Sequence, residues 1–162
     1  MPRLTLPRPP DSLRPRVLSV YRAVIALLFI THGMRSIFGV FGPGRTADLL
    51  EWPSWWAAMI QLLGGGLVLI GLFTRPAALL CSGSMAYAYF TVHQEKALWP
   101  LQNGGEPAAL FSWGFLLIAV FGAGIWSVDH VLAARRGTPD TPTAAASPGD
   151  YLARRKLTAS RS

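Results

Sequence analysis

Charged residues are scarce in this sequence, and cysteine is almost absent. Only 14% of the 162 residues are charged, whereas 51% are hydrophobic. An ordinary soluble domain carries roughly a quarter charged residues. The shortage of charge therefore indicates secondary-structure elements that have no wet face, as in a protein that lies in lipid.

The chain contains a single cysteine, Cys81. One cysteine can form neither an internal disulfide nor a Cys-x-x-Cys redox pair. Thiol–disulfide exchange within the chain is therefore excluded. We interpret Cys81 as a small buried hydrophobic residue, which is the usual role of a free cysteine in an apolar helix.

Four apolar runs account for the low charge, and we predict helices at residues 17–34, 55–73, 76–92 and 107–126. None of the runs alternates as a strand does, and a backbone in lipid must satisfy its hydrogen bonds within its own segment. About 20 helical residues cross a hydrocarbon core about 30 Å thick. No small-x-small cleavage site follows the first run, so it is interpreted as a helix that stays in the membrane. The predicted fold is all-α, a transmembrane four-helix bundle.

The two ends of the chain differ from its middle in composition. Residues 1–16 are basic and rich in proline, and residues 133–162 are mostly small, polar or basic. Proline at that density opposes regular structure, and a segment poor in large apolar residues cannot form a core. We predict a disordered leader, one membrane domain at 17–132, and a disordered tail.

The distribution of lysine and arginine predicts the orientation. With four spans, twelve of the fifteen basic residues lie on the side of the two termini. Three lie on the other side: Arg35, Arg45 and Lys96. Because basic residues near membrane ends accumulate in the cytoplasm, both termini are predicted to be cytoplasmic. We interpret the net charge of +7 as a charge that sets the topology and contacts anionic lipids of the bilayer, and not as a sign of nucleic-acid binding.

Each predicted helix carries a polar group near its outer end. His32 lies about 22 Å along the first helix, and Gln61 lies within two turns of the start of the second. His93 ends the third helix, and Glu106 caps the fourth, shortly after Asn103. Polar groups at membrane depth usually face the bundle interior, where they mark a site. We predict a ligand-binding site formed by these five residues.

A structural interpretation of the same residues stays open. Histidines at helix ends can bind loop carbonyls, and Glu106 can serve as a helix cap only. At the inner end, Arg22, Arg75 and Asp129 form a simpler set, in which an arginine–carboxylate pair would tie helices together. No metal site is predicted, because two widely separated histidines are a weak signal for a metal or haem.

A series of short motifs follows the helices in a fixed order. The motifs are His32-Gly33, Gly39-x-Phe41-Gly42, Gly71-Leu72-Phe73-Thr74-Arg75, His93, Asn103-Gly-Gly-Glu106, and Gly122-x-Gly124 followed by Ser127-Val128-Asp129. Over about residues 17–132, this series resembles the DoxX family.

The resemblance implies a small four-helix protein of the bacterial inner membrane. It also implies a loose link to redox work, since relatives occur as partners of thiosulfate:quinone oxidation and in oxidative-stress complexes. The chain departs from the family at Gln61, where the family pattern commonly has a glutamate. A neutral amide cannot carry a proton, so this departure weakens an acid–base role for the second helix.

Two functions from different classes fit the sequence. In the first, the outer cluster binds a quinone or another redox-active small molecule: His32 and His93 bind its carbonyls, Gln61 orients the ring, and Glu106 exchanges a proton. Electrons would come from a soluble or membrane oxidoreductase partner, because the chain has no flavin or iron–sulfur motif. In the second, the chain is a membrane anchor or assembly subunit without chemistry of its own. A small-solute carrier is less well supported, and homo-oligomerisation is left open.

Overall fold

The computed structural model describes residue 10, residues 12–42 and residues 46–136 of the protein. Every regular element in these ranges is a helix, which confirms the predicted all-α class. The helices are α1 (Leu13–Phe38), α2 (Ser54–Ile70), α3 (Thr74–Ala88), α4 (Pro100–Asn103), α5 (Glu106–Phe121) and α6 (Val128–Arg135). A π-helical stretch, Ile60–Gly64, lies within α2, and a second, Tyr89–His93, continues α3.

Glycines with a left-handed backbone end the three longest apolar helices. Gly39 (φ 66°) follows α1, Gly71 (φ 74°) follows α2, and Gly122 (φ 92°) follows α5. Glycine adopts positive φ without steric cost, so it stops a helix while the chain continues. Helices α2 and α5 consequently stop short of the predicted ends at residues 73 and 126.

Helix α1 begins inside the segment that we predicted to be disordered. The prediction that proline excludes a helix from residues 1–16 is wrong for the last four of them. Pro15 lies in the first turn of α1, where a missing N–H removes no helical hydrogen bond. Apart from residues 10 and 12, the rest of the predicted leader lies outside the described residues. Most of the predicted tail also lies outside them, although residues 133–135 continue α6.

The helices differ in their ability to cross a membrane. In the described part of the chain, α1 alone is both long and apolar enough: it has 26 residues, and an 18-residue stretch of it has a mean hydropathy of 1.7. Helices α2 and α5 are apolar but shorter. Four membrane spans therefore stay a prediction.

Helix α3 packs mainly against α5, and α1 packs against α2. Their buried apolar residues include Ala26, Phe29, Val68, Phe115 and Ile118. The hydroxyl of Ser82 on α3 adds a link, since it donates a hydrogen bond of 2.8 Å to the carbonyl of Ser112 on α5. These helices together enclose the core.

Two glycines of α2 allow its neighbours to approach closely. A Cβ at Gly64 would lie 2.7 Å from Cys81 Sγ, and a Cβ at Gly65 would lie 2.9 Å from a side-chain carbon of Ile30. Cys81 has no exposed surface, which confirms its interpretation as a packing residue. The second helix is therefore wedged between α1 and α3.

Candidate functional site

A cavity of about 280 Å³ lies between α1, α2, α3 and the start of α5. We call it the polar cavity. It is lined by Phe29, His32, Gln61, Met85, Ala88, His93, Gly104, Pro107, Ala108 and Phe111. Its volume is near the lower limit of ligand pockets, roughly 300 Å³, so it accommodates about one substituted ring.

Three of the five predicted ligand residues line the polar cavity. They are His32 from α1, Gln61 from α2 and His93 from the π-helical end of α3. Asn103 and Glu106 do not line it, although their neighbours Gly104 and Pro107 do. The fold thus brings together polar side chains that are far apart in the sequence.

Both Gln61 and His93 lie in π-helical stretches. A π-helical turn widens the backbone, changes the direction of the side chains that follow, and occurs frequently at functional sites. Sequence periodicity gave no sign of either stretch. Each of these two polar residues of the cavity therefore lies where its helix departs from regular α-helical geometry.

The amide oxygen of Gln61 is buried without a hydrogen-bond partner. Among the buried side-chain polar atoms of the described residues, Gln61 Oε1 is the one without a hydrogen-bond partner. Leaving a buried acceptor unpaired costs roughly 1–3 kcal/mol. Gln61 itself lines the polar cavity, so its amide is suited to accept a hydrogen bond from a molecule bound there.

His93 is held by the loop that follows it. Its Nδ1 lies 3.2 Å from the carbonyl oxygen of Asn103. A carbonyl only accepts, so Nδ1 carries the proton that is donated, and in the neutral ring Nε2 is left as an acceptor. Since His93 lines the polar cavity, its neutral ring adds an acceptor to the residues of that lining.

Asn103 positions this loop, and both polar atoms of its side chain bind main-chain partners. Asn103 is buried. Its Nδ2 donates a hydrogen bond of 2.9 Å to the carbonyl of Ala97, and its Oδ1 accepts a hydrogen bond of 2.7 Å from the N–H of Gly105. A Cβ at Gly105 would lie 2.8 Å from both His93 and Tyr89. The loop therefore fits tightly against the end of α3 and fixes the His93 ring.

His32 is exposed, lines the polar cavity and packs against an aromatic ring. Its imidazole meets Phe111 edge to face, with 5.3 Å between ring centroids. Phe111 in turn contacts Phe29 at 5.2 Å. The sequence analysis missed these phenylalanines. Their helical spacing could have revealed them, because residues three or four apart lie on the same helix face. Phe111 follows Pro107 by four residues, and Phe29 precedes His32 by three.

The opposite end of the helices holds the second predicted set. Arg22 is only 2% exposed, and its guanidinium donates to carbonyls of α2 and of the segment between α5 and α6. The acceptors are Val68, Leu69 (2.5 Å), Ala123 (2.9 Å) and Trp126 (2.6 Å). Arg22 therefore ties α1 to two distant parts of the chain.

Asp129 caps the start of α3. Its carboxylate accepts 2.9 Å hydrogen bonds from the N–H groups of Phe73 and Thr74, and a 2.8 Å bond from the Thr74 hydroxyl. Burial opposes ionisation of Asp129, but these hydrogen bonds and the nearby Arg22 charge outweigh it, so the pKa of the carboxyl is lowered. The group is ionised at neutral pH.

The predicted arginine–carboxylate pair is absent from this cluster. Arg22 binds carbonyls and Asp129 binds N–H groups, because each lies nearer to an unpaired helix end than to the other. Arg75 is exposed and contributes to neither set of bonds. Thr74, which the sequence analysis did not single out, supplies two of the three donors to Asp129.

Comparison with known proteins agrees with the residue pattern. The family profile DoxX matches residues 17–94. A Haemophilus influenzae protein named "Uncharacterized protein" is 36% identical over 125 residues, 74% of this chain and 93% of that protein. Inner membrane protein YqjF of Escherichia coli is 33% identical over 122 residues, 70% of this chain and 89% of YqjF. No solved structure matches the chain.

Proposed function

The chain belongs to the DoxX family, and on this basis we propose that it is a multi-pass protein of the bacterial inner membrane that binds a quinone-type ring in the polar cavity. Helices α1, α2, α3 and α5 form the membrane bundle. The inner-membrane name of the Escherichia coli relative supports this location. The excess of basic residues beside the termini supports a cytoplasmic position for both.

The unpaired Gln61 oxygen carries the proposal for the polar cavity. Together with His93 Nε2, it gives the site two acceptors, which match a ring that bears hydroxyl groups. Phe29 and Phe111 offer aromatic contact to such a ring. The preferred ligand is therefore the reduced, quinol form, whose two O–H groups can donate where a quinone only accepts.

Two of the predicted site residues have other roles in this proposal. Asn103 is a positioning residue, because its carbonyl orients the His93 ring and its side chain holds the loop. Glu106 lies outside the cavity lining and is exposed, so it stabilises the start of α5 through the helix dipole. The proposal assigns neither side chain a contact with the ligand.

The test is equilibrium binding of tetramethyl-1,4-benzoquinol to the purified full-length protein in lipid nanodiscs, under anaerobic conditions. Empty nanodiscs correct for partition. We expect saturable binding that Gln61→Leu and His93→Ala each weaken about tenfold or more, since each removes a hydrogen-bond acceptor from the site. The oxidised ring is expected to bind more weakly than the quinol.

His130 provides the matched control, because it is the third histidine and lies outside the polar cavity. His130→Ala should leave binding unchanged. The thermal unfolding midpoint of Gln61→Leu should equal or exceed that of the wild type, because the change removes an unpaired buried oxygen. Absence of saturable binding, or equal binding by the cavity variants, contradicts the proposal and favours an assembly subunit.

A further inference from the structure

A second space, of about 630 Å³, lies along the outside of α2 and α3. We call it the apolar groove. Its lining is almost wholly apolar and includes Trp56, Ile60, Leu80, Gly83, Tyr87 and Ala88. Along α3 the lining extends from Pro76 to Val92, which corresponds to about 24 Å at 1.5 Å per residue. A space of this length and width has the shape of a hydrocarbon chain.

The apolar groove and the polar cavity meet at one seam between α2 and α3. Ala88 lines both spaces. On α2, Ile60 lines the groove and the next residue, Gln61, lines the cavity. In the π-helical stretch that continues α3, Val92 lines the groove and the next residue, His93, lines the cavity. The methyl group of Ala88 is thus part of the lining of both the apolar groove and the polar cavity.

We propose that the ligand is a lipid-soluble amphiphile, which places its ring in the polar cavity and its apolar chain in the apolar groove. The ring passes between α2 and α3 at Ala88, which directly precedes the π-helical stretch that continues α3. This inference rests on the proposed function and adds the class of ligand: a quinol with a hydrocarbon tail, taken from the bilayer. Measured against the free ligand in water, burial of each methylene of the tail strengthens binding about fourfold.

Two glycines provide a matched pair of variants. A Cβ built at Gly83 or at Gly66 meets no heavy atom within 4 Å among the described residues, so a larger side chain fits at either position. Gly83 lines the apolar groove, whereas Gly66 does not. Gly83→Leu therefore fills the groove, and Gly66→Leu adds the same side chain elsewhere on the surface.

The experiment compares two rings in lipid nanodiscs: tetramethyl-1,4-benzoquinol, and the same ring with one methyl replaced by a decyl chain. Partition into empty nanodiscs is subtracted. The decyl form should bind the wild type at least tenfold more tightly than the tetramethyl form. Gly83→Leu should remove most of this gain, Gly83→Ala should remove part of it, and Gly66→Leu should preserve it. Binding of the tetramethyl form should stay within twofold in all three variants.

The outcomes separate the two proposals. The groove inference is wrong, and the cavity proposal stands, if the tetramethyl ring binds but the decyl chain does not increase the affinity. The same holds if the decyl chain increases the affinity of Gly83→Leu as much as that of the wild type. If decanol displaces the decyl ring without displacing the tetramethyl ring from the wild type, the groove holds an independent lipid chain and the inference is overturned. If neither ring binds, both proposals are wrong. Unfolding midpoints of the variants confirm that each is folded.

Discussion

The guanidinium of Arg22 and the main-chain carbonyl of Trp126 are joined by a 2.6 Å hydrogen bond that spans 104 residues of sequence. The same side chain binds the carbonyls at the end of α2. Gly71 completes the arrangement, because its carbonyl accepts a 2.8 Å bond from the N–H of Asp129. One buried cation thus joins the start of α1, the end of α2 and the segment that leads into α6.

We expect Arg22→Leu to lower the free energy of unfolding by about 3 kcal/mol or more. The substitution leaves several buried carbonyls without a donor, and each such group costs roughly 1–3 kcal/mol. Thermal unfolding of the detergent-solubilised protein measures the effect. Arg14→Leu changes an exposed arginine of the same helix and should shift stability by less than about 0.5 kcal/mol. Equal midpoints for the two variants would show that the Arg22 bonds do not stabilise the fold.

Asp129 makes stability depend on pH in the acid range. Its pKa in the folded protein is lowered below the ordinary aspartate value of about 3.9, so its contribution is present above that value. As the pH falls through the lowered pKa, the carboxylate is protonated and the contribution is lost. We expect the wild-type unfolding midpoint to fall more steeply between pH 5 and pH 3 than that of Asp129→Asn. Parallel curves would contradict this role, and His130→Asn serves as the neighbouring control.

Gly71→Ala should be strongly destabilising. The residue has φ 74°, and a Cβ there would lie 2.4 Å from Ser127 Cβ and 2.9 Å from Ser127 Cα. The left-handed backbone alone costs about 1–2 kcal/mol for a residue with a side chain, and the backbone contact adds to it. Gly66→Ala, in open space within α2, should be neutral or stabilising by up to about 1 kcal/mol. Unfolding midpoints of the two variants provide the comparison, and equal values would refute it.

The orientation can be tested with single cysteines at two exposed positions. Glu95→Cys lies in the loop after α3, and Arg135→Cys lies at the end of α6. We expect a membrane-impermeant maleimide to label Glu95→Cys in spheroplasts and to label Arg135→Cys only after the membrane is opened. Native Cys81 is fully buried and should stay unlabelled in the folded protein. The reverse pattern would invert the proposed topology.

Local chemistry allowed several features to be predicted from the sequence. The apolar runs predicted helices since no other backbone satisfies its own hydrogen bonds without water. Cys81 was predicted to be a buried packing residue, and it has no exposed surface. His32, Gln61 and His93 were predicted to lie at a common level because helical rise converts residue number into depth.

Only the tertiary structure decided which polar groups face one another. Helical rise gives depth but not rotation about the helix axis, and the π-helical turns at Gln61 and His93 change that rotation without a sequence signal. Asn103 and Glu106 were predicted to belong to the site, but neither lines it. At the other end, the sequence predicted an ion pair from opposite charges, whereas the fold placed Arg22 and Asp129 against separate helix ends, where unpaired carbonyls and N–H groups bind each charge.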